Sequence, residues 1–309
     1  MNQETATIAE LVLEQTLFGI SMGQLGRYGL VVIMLTMGMH LRLTDFKLLF
    51  NRPVSVITGL AGQMLFLPLV AFSLIWLLKP ELHIAVGAIV LACCPGAATS
   101  NYFSYLVRGD VALSVTLTAI SGMLVVITLP LLVNLGFMVF TDSSSDIRLP
   151  VLETMLQILQ LLILPVAIGM LLRYKLPETI ADPLQRLSSG LSFALMMIVV
   201  VLSFAGLWGH FGELIISCGL LAFVTNVITM AAGYGSGVLM KLPLKQRRTL
   251  CVEVGIQNFL LAMVIALTVL KNPDYAIFPV MYLLMMYVSV FTFIGWCRLR
   301  PLPSDIQDH

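Results

Sequence analysis

Charge is what this sequence has least of. Asp, Glu, Lys and Arg make up 11% of its 309 residues, and 59% are hydrophobic. Soluble domains carry about 25% charged residues. With a mean hydropathy of +0.99, the chain lacks the polar shell a soluble fold needs and is expected to be an integral membrane protein in a lipid bilayer. Basic runs are missing as well: the formal net charge is +1, which argues against a nucleic-acid partner. The four histidines, at 40, 83, 210 and 309, fall at the ends of apolar stretches, in loops or in the tail. Hydrolytic chemistry needs a nucleophile–base pair or a metal cluster, so no enzyme and no cofactor are expected. The five cysteines (93, 94, 218, 251 and 297) sit in or beside apolar stretches, as small buried residues rather than a disulfide or zinc framework. The acidic N-terminus also lacks the basic start of a cleaved signal peptide.

What the sequence does have is long apolar runs. A membrane helix takes roughly 20 residues, and nine such stretches are expected: about 28–41, 54–78, 83–106, 111–140, 151–172, 188–208, 214–240, 249–270 and 276–297. The first is short, so its helix is expected to start earlier, near Leu17. Residues 1–27 then form an outer segment and helix start, with at most an interfacial helix at Ile8–Leu13. Residues 28–298 form the membrane domain, and 299–309 a tail. Across nine spans, 13 of the 17 basic residues gather on one side, leaving Arg27, Lys79, Arg148 and Lys271 on the other. Cytoplasmic loops are the basic ones, so the N-terminus is expected outside and the C-terminus in the cytoplasm, across the inner or plasma membrane.

Acids are nearly absent from the spans. Glu253 is the exception, in the stretch CVEVGIQN (251–258). It lies five residues past Arg248, about 7 Å along a helix, so it could simply reach back to that arginine. Ionisable groups inside spans are otherwise candidates for function. A second polar interruption, CPGAATSN (94–101), breaks its helix at Pro95 and Gly96. Irregular backbone at membrane depth survives only inside protein or beside a wet cavity. Two interrupted helices in matching places point to a binding site between inverted repeats. Gln63, Asn226, Ser114, Thr116 and Thr118 add polarity in neighbouring spans. These groups are all oxygen ligands, which suit hard cations, and half-helix N-termini suit an anion. The eighteen methionines are expected to be adaptable packing.

CCPGAATSN, RGDVALSV, QMLFLPLVAF and EVGIQN together resemble the bile acid:sodium symporter family, over about Met34 to Arg298. The resemblance implies an all-α inverted-repeat transporter with two crossing discontinuous helices, in a core domain beside a moving panel domain. Members with ten spans have an extra N-terminal helix that this chain is expected to lack. The family's first sodium site maps onto Ser100, Asn101, Ser114, Thr118 and Glu253. Its second maps onto Gln63, Glu253, Gln257 and the carbonyls of Val254 and Ile256. Sodium, in two sites, is the implied coupling ion, and an organic anion the implied partner and substrate. Two departures concern that substrate. Gly96-Ala97-Ala98-Thr99 replaces a more polar family motif, and Tyr287-Val288 stands where some bacterial members have His-Asn. A bile acid and a smaller carboxylate both remain open, with Asn258 and Thr99 as the expected contacts. The alternative is a proton-coupled or exporting relative resembling arsenite exporters, using Cys93 or Cys94.

Overall fold

The computed structural model describes residues 16–17, 20–42, 44–140, 148–207, 209 and 211–299. The segment around Ile8–Leu13 and the tail beyond Leu299 lie outside these residues. Except for one short strand pair, the described residues fold as helices and their connections. Thr16–Leu17 (β1) pairs antiparallel with Ile20–Ser21 (β2), so the first helix starts later than its apolar run suggested. α1 spans Met22–His40, fixed by a capping box in which Ser21 and Gln24 exchange side-chain-to-backbone bonds. A short turn leads to α2, Leu48–Asn51, and then to α3, Pro53–Leu78.

Two short helices follow, α4 (Leu82–Ala92) and α5 (Ser100–Leu106), and then α6, Val111–Phe140. α7 is Val151–Lys175, α8 is Glu178–Leu207 and α9 is Phe211–Leu239. A second short pair, α10 (Leu244–Gly255) and α11 (Phe259–Val269), precedes α12, Ile277–Leu299. Among the described residues, six helices are long and apolar enough to cross a membrane, or seven if α1 and its continuation bent by 77° count as one. α8 begins ten residues before the apolar run at 188. Its polar first turns are helical because Arg173, at the end of α7, pairs with Asp182.

Proline shapes α3 and α7 in the same way. QMLFLP and QLLILP each contain a wide turn, Gly62–Phe66 and Leu159–Ile163, just before Pro68 and Pro165. The extra residue in that turn accommodates a ring that would otherwise clash with the preceding carbonyl. Four non-glycine residues adopt left-handed backbone: Lys79, Arg108, Lys241 and Lys271. Each follows a helix end, and a cation there meets the negative end of the helix dipole.

Helices in a bilayer associate through close packing and small residues rather than hydrophobic exclusion. α1 meets α7 at paired glycines: a Cβ on Gly38 would lie 2.2 Å from the Val166 carbonyl oxygen, and one on Gly169 2.1 Å from that of Leu35. α9 meets α10 as closely, since a Cβ on Gly233 would lie 2.4 Å from the Leu250 oxygen. α1 is also tied to α8 by a Thr36–Ser192 hydroxyl pair at 2.8 Å. The most completely buried segments are α4, α10, α11 and the first half of α12. α3, α6 and α8 instead expose apolar side chains such as Trp76, Ile127 and Phe193, as lipid-facing helices do.

Candidate cation and substrate site

The two interruptions meet. Ala97 donates its N–H to the Ile256 carbonyl at 3.2 Å, and Asn258 donates to the Pro95 carbonyl at 2.9 Å. Gly96 and Gln257 thereby form an isolated antiparallel bridge. Backbone groups freed by each break are satisfied by the other, which is what makes the pair tolerable away from water. The Asn258 side chain then caps α11, accepting from Leu261 N at 3.0 Å. Gly96 is needed for close approach, because a Cβ there would lie 2.8 Å from Gln63 Nε2 and 3.5 Å from Glu253 Oε2.

Glu253 is 0% exposed and stands two residues before Gly255, where α10 ends at the second break. Gln63 Nε2, from α3, donates to its backbone oxygen at 2.9 Å and to Oε2 at 3.1 Å. From α6, Thr118 Oγ1 reaches Oε2 at 3.3 Å and Ser114 Oγ bonds Oε1. Ser114 also lies 2.8 Å from Asn101 Oδ1, and Ser100 lies 3.3 Å from Thr118. Arg248 points elsewhere, to the carbonyls of Val107 at 3.0 Å and Cys297 at 3.5 Å. The simple reading of Glu253 as that arginine's partner is therefore replaced by a four-helix oxygen cluster.

The cluster holds more acceptors than protons. Ser114 has one hydroxyl proton within reach of both Glu253 and Asn101, and it can serve only one at a time. Thr118 faces Asn101 Oδ1 at 3.5 Å, the Ser114 carbonyl at 3.0 Å and Glu253. Gln63 Oε1 and Gln257 Oε1 are buried with no hydrogen-bond donor among the described residues. Buried acceptors without donors are costly, and a hard cation is one ligand whose chemistry fits such a set. Of the expected carbonyl ligands, Val254 accepts from Gln257 Nε2 at 2.9 Å and Ile256 from Ala97; each keeps a second lone pair.

Beside the crossing lies a cavity of about 80 Å³. Pro95, Gly96, Thr118 and Asn258 line one side, and α1 and α7 contribute Met34, Met37, Leu162, Val166 and Met170 opposite. Asn258 thus sits at this cavity. Thr99 does not line it; it is half-buried at the start of α5, its carbonyl accepting from Tyr102 and Phe103. Tyr287 packs against Phe103 with ring centroids 5.7 Å apart, and Val288 lies in a groove between α9 and α12. Cys93 and Cys94 are buried at the end of α4 and do not touch the cavity.

The sequence profile described as the Sodium Bile acid symporter family matches residues 27–211. The chain belongs to the sodium bile acid symporter family. That match takes in Gln63, the first break, Ser114 and Thr118, and stops where α9 begins. The chain is also similar to the uncharacterized sodium-dependent transporter YocS of Bacillus subtilis (strain 168), 32% identical over 231 residues, or 74% of this chain and 68% of that one. It is 30% identical over 252 residues to the probable sodium/metabolite cotransporter BASS1, chloroplastic, of Arabidopsis thaliana, covering 79% and 59%. To the mouse (Mus musculus) sodium/bile acid cotransporter 4 it is 31% identical over 233 residues, covering 74% and 52%. The chain therefore spans about two thirds of the first relative and little more than half of the other two. These names are those of transporters, and this family member is an integral membrane protein rather than an enzyme.

Sequence reasoning missed two parts of the site. One is the methionine and aliphatic wall from α1 and α7, whose residue types match any packed helix pair. The other is Tyr282 on α12, which joins Asn226 behind the second break. A tyrosine hydroxyl in the second turn of the largely apolar α12 was the available signal.

Proposed function

We propose that this protein is a secondary active symporter that carries sodium together with an organic anion into the cell by alternating access. The single observation supporting this most is the surplus of buried oxygen acceptors around Glu253. On this reading, one sodium is held by Ser100, Asn101, Ser114, Thr118 and Glu253. A second is held by Gln63, Glu253, Gln257 and the carbonyls of Val254 and Ile256. A hard, weakly bound cation suits neutral oxygens around a single carboxylate.

The membrane arrangement follows from the same reading. Six long helices, α1 and the two broken pairs α4/α5 and α10/α11 supply nine spans, with the N-terminus outside and the tail cytoplasmic. Repetition around the breaks supports two inverted halves. α3 ends near left-handed Lys79 and α5 at Arg108, while α9 ends at Lys241 and α11 near Lys271. The carboxamides of Gln63 and Asn226, on the first helix of each set, face the glycines at the two breaks, Gly96 and Gly255. α1, α7 and α8 would then form the moving panel, and the cavity between panel and crossing would take the anion, whose apolar body suits the methionine wall. Asn258 belongs to both the bridge and the cavity, and so joins the ion layer to the anion. Thr99, away from the cavity, would act through the backbone of the first break.

Because binding energies are linked, sodium and anion should raise each other's affinity by the same factor. The test uses purified protein in liposomes. Carboxylates, including a bile acid and pantoate, are screened for raising the melting temperature in sodium and not in choline. Uptake of the responders is then followed under an inward sodium gradient. Sodium-dependent uptake is expected, with Glu253→Gln reduced to background. Equal initial rates in sodium and choline for an anion the protein demonstrably moves would refute coupling.

A further inference from the structure

We infer that Asn226 and Tyr282 are positioning residues that stiffen the glycine joint in the second break and so set sodium affinity. This rests on the sodium reading of the site. Gly255 ends α10, and the last carbonyls of a helix have no partners within it. Here each finds a donor from outside the helical ladder: Val254 from the Gln257 side chain, Ile256 from Ala97, and Gly255 from two residues at once. Asn226 Nδ2 donates to the Gly255 oxygen at 2.7 Å and the Tyr282 hydroxyl reaches it at 3.0 Å. The two donors lie 3.0 Å from one another. Asn226 is 0% and Tyr282 1% exposed, so neither can trade these bonds for water.

Glycine at this position is imposed by packing, since a Cβ on Gly255 would lie 2.2 Å from Met230 Cγ. Yet glycine is the residue with the most backbone freedom, and here it stands between the two carbonyls assigned to sodium, those of Val254 and Ile256. Rotation about the Gly255 backbone would swing the Ile256 peptide away from Val254 and Glu253. Fixing the Gly255 oxygen from α9 and α12 removes that freedom, so the oxygens are held ready before the ion arrives. Preorganisation of this kind raises affinity by cutting the ordering cost of binding. Neither residue touches the ion.

The test measures sodium activation of anion uptake for wild type, Glu253→Gln, Asn226→Ser, Tyr282→Phe and the double variant. With the stronger donor lost, Asn226→Ser should raise half-saturating sodium about tenfold and lower the maximal rate no more than about twofold. Tyr282→Phe should raise half-saturating sodium about threefold, and the double variant more than either. A purely structural role would lower the maximal rate and the yield of folded protein while leaving half-saturation at the wild-type value, and that result overturns the proposal. If Asn226→Ser is not recovered folded, unchanged half-saturation in Tyr282→Phe overturns it as well. Glu253→Gln separates the two ideas. Loss of sodium dependence there with unshifted Asn226 and Tyr282 variants leaves the sodium site standing and removes the clamp. Sodium-independent uptake by wild type removes both.

Discussion

Gly38→Ala is the substitution for which the geometry gives the clearest number. The new methyl would lie 2.2 Å from the Val166 carbonyl oxygen and 2.9 Å from the Val166 Cα. Ordinary contact begins near 3.5 Å, so α1 and α7 must part by about 1 Å. Backbone cannot swing aside as a side-chain tip can. Overpacking of this kind costs about 1–3 kcal/mol, and the two glycines sit in one interface, so Gly169→Ala should cost a similar amount. The double variant should cost less than the sum, because helices already parted for one methyl admit the second more easily. Gly190→Ala on α8 is the control, since its Cβ would meet nothing within 4 Å among the described residues. There, alanine's better helix propensity should leave stability unchanged or raised by less than about 1 kcal/mol. Thermal unfolding in detergent, followed by tryptophan fluorescence, should show Gly38→Ala melting roughly 5 °C below wild type and Gly190→Ala at or above it. Equal melting temperatures for the two would refute the close-packed α1–α7 pair. Since α1 and α7 also wall the cavity, Gly38→Ala should in addition raise the anion KM.

Two further outcomes are expected. Replacing Gln63 or Gln257 by Leu removes a buried acceptor oxygen from the second ion site; sodium activation of uptake should become non-cooperative, with a Hill coefficient falling toward one, and a retained coefficient would count against two ions. Asn258→Ala should raise the anion KM about tenfold, measured as uptake at saturating sodium; an unchanged KM would remove its side chain from the anion site.

Much of this was readable along the chain because polarity inside a bilayer is expensive enough to be rare. Glu253 stands out in a stretch of apolar residues, and Pro95-Gly96 and Gly255 mark where a helix must stop. Gln63, Ser114 and Thr118 could be grouped with Glu253 through the family pattern. Other features needed coordinates. Arg248 lies within reach of Glu253 by helical spacing, yet its guanidinium turns to carbonyls of two other segments. Thr99 has the right hydroxyl in the right loop but is not among the residues that line the cavity. The polar beginning of α8 looks like loop until Arg173 meets Asp182 across the turn. In each case the deciding contact joins residues whose proximity the local pattern does not encode.

The bridge between the two breaks also bears on how the protein is made. Pro95 and Ala97 depend on Asn258 and Ile256 for their backbone partners, and those residues leave the ribosome only after the whole of α6 to α10. A nascent chain that has inserted α4 and α5 therefore carries an open carbonyl and an open N–H, which hydrocarbon does not tolerate well. The first broken helix must wait near the lipid headgroups, at the translocon or with a holding partner until the second arrives. Closing so distant a contact is slow by nature. A chain cut short before the second break would then expose an unpaired edge, a ready signal by which a membrane protease could recognise unfinished copies.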